Sequence, residues 1–159
     1  MNKISVTFYV NGKKEVLEVT PKERLLDTLR DQLKLKSVKE GCDVGECGAC
    51  TVILNGQAVH SCLVLTAQLD GDEVYTTESL EKDGLLDPLQ QAFIDHQAVQ
   101  CGFCTPGILM SAKALLNKNP NPTREEIKTA IEGNLCRCTG YEQIIQAIES
   151  VSEKKLSSR

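Results

Sequence analysis

The sequence predicts an α+β protein in two parts, a small sheet crossed by one helix and then four helices. Three observations carry this expectation. Apolar residues alternate over two hairpins in the first half. Helix-start signals recur through the second. The eight cysteines divide four and four between the halves.

Ile4, Val6, Phe8 and Val10 alternate with Ser5, Thr7 and Tyr9, the pattern of a half-buried strand. Asn11-Gly12 follows, a dipeptide suited to a two-residue hairpin turn in which both positions need positive φ. Glu15 to Val19 returns as the second strand. Thr20-Pro21-Lys22-Glu23 reads as a capping box, with Thr20 as N-cap and Pro21 at the first helical position. Leu25, Leu26, Leu29 and Leu33 then fall on one helical face. Thr51–Leu54, Asn55-Gly56 and Gln57–His60 read as a second hairpin, and Glu73–Thr76 as a last strand.

In the second half, Asp87-Pro88 opens a helix running to about Ala98. Thr105-Pro106 opens another, with Thr105 as N-cap, ending near Asn117. Asn119-Pro120-Asn121-Pro122 breaks the chain. Thr123-Arg124-Glu125-Glu126 is a capping box for a third helix that ends at Gly133, and Thr139 with Glu142 caps a fourth along Ile144, Ile145, Ile148 and Val151. Short connections between four helices suggest a bundle. The sequence therefore predicts domains over 1–78 and 87–159, joined by a polar linker over 79–86.

Composition narrows the function. Apolar residues are 41% of 159, enough for a core, but aromatics are only 4%, with no Trp. The formal charge is −4. Residues 51–100 hold one Lys against eight Asp or Glu. Nucleic-acid binding, which needs a basic footprint, is not expected. No apolar run approaches the ~20 residues of a membrane helix, and MNKISVTFYV is too short and too alternating for a signal segment. The expected compartment is the cytoplasm, where thiols stay reduced, so eight cysteines point to metal before disulfides.

Cys42, Cys47, Cys50 and Cys62 are spaced C-x4-C-x2-C-x11-C, the plant-type [2Fe–2S] pattern. Glycines at 41, 45 and 48 would let backbone N–H groups approach the sulfurs. A zinc site or plain core cysteines are the competing readings. Cys101, Cys104, Cys136 and Cys138 form C-x2-C and C-x-C pairs, each at a helix start whose partial positive charge would favour thiolates. On spacing alone a four-cysteine zinc site competes here as well. The only histidines, His60 and His96, are not needed as ligands and read as structural or exposed. Asp43 and Glu46 read as solvated loop residues.

GCDVGECGACTV (41–52), QCGFCTPG (100–107) and GNLCRCTGY (133–141), in that order, resemble the small iron–sulfur subunit of the xanthine oxidase family of molybdenum hydroxylases. The resemblance spans nearly the whole chain. It implies a plant-ferredoxin-like β-grasp domain followed by an all-α four-helix domain, each holding one [2Fe–2S] cluster, and so favours a cluster over zinc at the second cysteine set. It implies a large partner subunit with a molybdopterin-type cofactor and a medium one with FAD, in a dimer of heterotrimers. Electrons would leave molybdenum, cross the second and then the first cluster, and reach FAD. Gln100 and Cys138 match positions that meet the pterin. The substrate would be chosen by the large subunit, and an N-heterocycle such as a purine is expected. No catalytic residue is expected in this chain. A free-standing two-cluster carrier is the alternative, opposed by the helical half, which an ordinary ferredoxin lacks.

Overall fold

In a computed structural model that describes residues 2–152, the first half is a five-stranded sheet of order β2-β1-β5-β3-β4. The strands are β1 (Ile4–Val10), β2 (Lys13–Val19), β3 (Thr51–Leu54), β4 (Gln57–His60) and β5 (Glu73–Tyr75). β1 pairs in parallel with β5; every other neighbour is antiparallel. Both Asn-Gly turns form as two-residue connections with positive φ, 52° and 80° at Asn11-Gly12 and 48° and 80° at Asn55-Gly56. The alternation of β1 places Val6, Phe8 and Val10 in a core with Leu25, Leu26, Leu29, Val52 and Val74.

The crossing helix starts later than expected. α1 (Leu25–Asp27) runs on as a π-helical turn through Thr28–Gln32. Thr20 and Glu23 do bond, Thr20 N–H donating to Glu23 Oε2 at 3.3 Å, but within a turn that precedes the helix. Arg24 is held extended by a bridge to Leu65, and Glu23 turns its other oxygen to the Thr28 hydroxyl, so the helix cannot begin at Pro21.

The second half is α2 (Pro88–Asp95), α3 (Thr105–Lys118), α4 (Arg124–Ile131) and α5 (Glu142–Ser150). Its core gathers Phe93, Ile108, Met110, Ile127, Ile144 and Ile148, together with Ile53 from β3 and Leu80 from the polar stretch after β5. The last residues of the expected helical domain, 153–159, lie outside the described residues.

The cap at α4 forms as the sequence expects: Glu126 N–H donates to Thr123 Oγ1 at 3.2 Å, and Thr123 N–H to Glu126 Oε2 at 2.6 Å. Replacing Thr123 with Ala is expected to cost about 1 kcal/mol, a fall in Tm of roughly 2–4 °C for a chain of this size. Thermal unfolding followed by circular dichroism measures it.

Candidate metal centres

The first cysteine set lies on one loop and one turn of the sheet. Cys42 and Cys47 sit on the loop before β3, Cys50 immediately before β3, and Cys62 on a 3-10 turn (Ser61–Leu63) just after β4. Because β3 and β4 are paired, Cys50 and Cys62 are brought together. Ser61 fastens them, its N–H (3.3 Å) and hydroxyl (2.8 Å) both donating to the Cys50 carbonyl. The loop curls so that Glu46 N–H and Cys47 N–H each reach Cys42 Sγ at 3.3 Å. Backbone donors, Val44 N–H foremost, draw the Cys42 thiol down to about 7. Burial, then the neighbouring Cys50, pushes Cys62 up to about 11. An alanine methyl at Gly41 would sit 2.8 Å from Cys47 Sγ, so the chain needs glycine where it passes the sulfur.

Two neighbours were not legible as parts of this loop. Asp43 is not merely solvated: Arg24 Nη1 binds it at 2.9 Å while Nη2 binds Asp27 at 2.7 Å and Glu40 at 3.0 Å. His60 Nδ1 lies 2.8 Å from the Gly45 carbonyl and braces the loop from β4.

The second set joins two helix connections. Cys101 and Cys104 lie between α2 and α3, and Cys136 and Cys138 between α4 and α5. Cys104, not Thr105, is the N-cap of α3; its backbone is already helical (φ −78°, ψ −17°). Thr139 does not cap α5 either. Its hydroxyl lies 3.0 Å from Cys136 Sγ and accepts from Tyr141 N–H at 3.2 Å, while Tyr141, left-handed at φ 69°, becomes the N-cap. A turn in that conformation cannot extend a helix backwards, so α5 starts at Glu142.

Burial, then Cys136, pushes Cys104 up to about 12. Cys136 goes the other way: burial raises it, but the Thr139 hydroxyl and N–H and the Cys138 N–H outweigh burial. Cys101 and Cys138 are exposed, whereas Cys50 and Cys62 are buried. On the exposed rim, Gln100 Nε2 donates to the Cys138 carbonyl at 3.1 Å. Arg137 points to solvent between the two cysteines.

Within each set the sulfurs associate in twos. Cys42 interacts with Cys47 and Cys50 with Cys62; Cys104 interacts with Cys136, and Cys138 Sγ lies 3.6 Å from Cys101 Sγ. Among the described residues, no three Cys, His, Asp or Glu side chains gather tightly enough to hold one ion. A tetrahedral zinc needs all four sulfurs as mutual neighbours. In a [2Fe–2S] core each iron takes two thiolates and shares two sulfides, so four cysteines fall into two pairs. The donor arrangement fits the two-iron group at both places.

A buried knot joins the two loops. Asn134, 2% exposed, donates from Nδ2 to the Gly48 carbonyl (3.0 Å) and to Thr51 Oγ1 (3.2 Å), and its Oδ1 accepts from the Ser111 hydroxyl (2.7 Å). Leu135 N–H donates to the Cys47 carbonyl at 2.8 Å. Cys136 N–H donates to the Tyr141 hydroxyl at 2.7 Å, which donates in turn to the Asn134 carbonyl at 3.1 Å. The contact is so close that a methyl on Gly107 would lie 2.3 Å from the Gly48 oxygen, and one on Gly48 2.3 Å from the Gly133 oxygen. None of Asn134, Ser111 and Tyr141 was expected as a structural link. The one sequence trace is Ser111, a hydroxyl on the apolar face of α3.

Comparison with known proteins finds the family described as "2Fe-2S iron-sulfur cluster binding domain" over residues 8–80 and that described as "[2Fe-2S] binding domain" over 76–149. The chain is 51% identical over 154 residues to the nicotinate dehydrogenase small FeS subunit of Eubacterium barkeri, covering 97% of this chain and 98% of that one. It is 46% identical to the xanthine dehydrogenase iron-sulfur-binding subunit of Escherichia coli O157:H7, covering 96% of each. Among solved structures, quinoline 2-oxidoreductase from Pseudomonas putida 86 contains a chain that superposes with a TM-score of 0.93 at 42% identity, covering 99% of this chain and 98% of that one.

Proposed function

Because the chain belongs to the small iron–sulfur subunits of the xanthine oxidase family of molybdenum hydroxylases, we propose that it relays electrons inside such an enzyme from a molybdenum subunit to a flavin subunit. Its two [2Fe–2S] clusters, when bound, supply the one-electron redox chemistry. Cys42 and Cys47 would hold one iron of the first cluster and Cys50 and Cys62 the other. Cys101 with Cys138, and Cys104 with Cys136, would do the same for the second. The observation that carries this is the two-and-two association of sulfurs in both sets.

The chain's own groups supply the surroundings. Backbone N–H groups from Val44, Glu46 and Cys47 offset negative charge on the Cys42 sulfur, and the Thr139 hydroxyl does so at Cys136. Burial keeps water from Cys50 and Cys62. We place the domains over 1–78 and 87–159, with 79–86 between them. The exposed Gln100–Cys138 contact is the docking point for the pterin of the large subunit, which makes the second cluster the entry and the first the exit towards FAD.

The assembly is a dimer of heterotrimers in the cytoplasm; no helix among the described residues is long and apolar enough to cross a membrane. The substrate is an N-heterocycle such as a purine, in keeping with the nicotinate, xanthine and quinoline of the relatives' names.

Purification of the native complex tests this reading. The expected product is brown, carries about four iron and four labile sulfide per copy of this chain, and travels with molybdenum- and flavin-containing chains. A colourless zinc protein, or a chain that runs alone, overturns it.

A further inference from the structure

The knot between the two loops has a consequence for the relay, and it rests on the two-cluster reading above. Cys47 and Cys136 belong to different cysteine sets, far apart in sequence. Yet Cys47 C=O accepts the N–H of Leu135, the residue that precedes Cys136. From one sulfur to the other there is an unbroken run of covalent bonds interrupted by a single 2.8 Å hydrogen bond.

We propose that the strip Asn134–Leu135–Cys136 is the electron bridge between the clusters, and that Asn134 and Tyr141 are the positioning residues that hold it closed. One electron crosses from the second cluster to the first; no bond is made or broken and no proton moves with it.

Each end of the strip is fixed by a separate device. Asn134 is nearly sealed from solvent and spends both ends of its amide, on Gly48 and Thr51 of the first loop and on Ser111 of α3. This pins the strip to the residue after Cys47. Tyr141 works from the opposite side. Its hydroxyl accepts from Cys136 N–H and donates to the Asn134 carbonyl, which clamps the strip to the start of α5. The left-handed backbone at Tyr141 is uncommon for so large a residue, and it is what points the ring back at the strip. Ordinary packing of one domain on another would not need hydrogen bonds at consecutive residues aimed at one cysteine loop.

The test uses the purified holoenzyme with Asn134→Ala and, separately, Tyr141→Phe. Three quantities are read: iron content, the spin–spin splitting between the two reduced clusters in electron paramagnetic resonance, and the rate of electron redistribution between clusters after flash reduction. Loosening the contact lengthens the path between the clusters, so Asn134→Ala is expected to keep both clusters, to lose part of the splitting, and to slow redistribution severalfold. Tyr141→Phe is expected to move both readouts in the same direction by less.

A variant with both clusters loaded and with wild-type splitting and rate overturns the proposal. Should Asn134→Ala lose iron, Tyr141→Phe, which removes one hydroxyl from a half-buried ring, decides by the same readouts. A wild-type complex without two clusters would instead sink the relay reading itself.

Discussion

Replacing Cys50 with Ala is expected to halve the iron and sulfide of the chain and to stop electron delivery to the final acceptor. Cys50 is 3% exposed and pairs with Cys62 against the Ser61 brace. Without its thiolate, one iron of the first cluster loses half of its protein ligands. Cys62, whose burial favours the neutral form, is left a protonated thiol in an apolar place. Cys50 packs in the core of the first half, whereas Cys104 and Cys136 pack against the core of the second, so the second cluster's signal should survive.

The split between two measurements tests the electron order. In stopped-flow mixing, substrate should still reduce the molybdenum site once, while steady-state turnover falls to background. Equal loss of both would reverse or remove the proposed sequence from second cluster to first.

The second large effect is expected from Gly107→Ala. On an isolated helix this change would help, by about 1 kcal/mol. Here the new methyl would stand 2.3 Å from the Gly48 oxygen and 3.3 Å from Asn134 Nδ2. Both are held, one as backbone and the other as part of an amide with three hydrogen bonds, so neither can give way cheaply. Overpacking of this kind costs about 1–3 kcal/mol, which corresponds to a Tm lower by roughly 2–12 °C. Differential scanning calorimetry of the purified protein checks it. A Tm equal to or above the parent's would mean that the halves do not approach this closely.

Much of this architecture is legible in sequence because the signals are local. Alternation, the two Asn-Gly turns and the Thr123 capping box each depend on a few adjacent residues, and all three appear where expected. Cysteine spacing marks both places where thiols gather. What the sequence does not show depends on partners far along the chain. Thr20–Glu23 has the letters of a helix cap, but the bridge from Arg24 to Leu65 delays the helix. Thr139 has them too, but its hydroxyl is taken by Cys136 and Tyr141. Asn134 looks like any loop asparagine until Gly48, Thr51 and Ser111 surround it. Asp43 looks solvated until Arg24, just before α1, reaches across to it.

Gly48 and Gly107 meet as peptide groups, with no side chain on either. Side chains hop between rotamers and so let a contact breathe; a backbone contact has no rotamers to exchange. The spacing of the two halves at this point is therefore set by bond lengths and van der Waals radii, and it works as a ruler. Whatever packs against the outside of the chain, the distance at which its two halves face each other here stays the same.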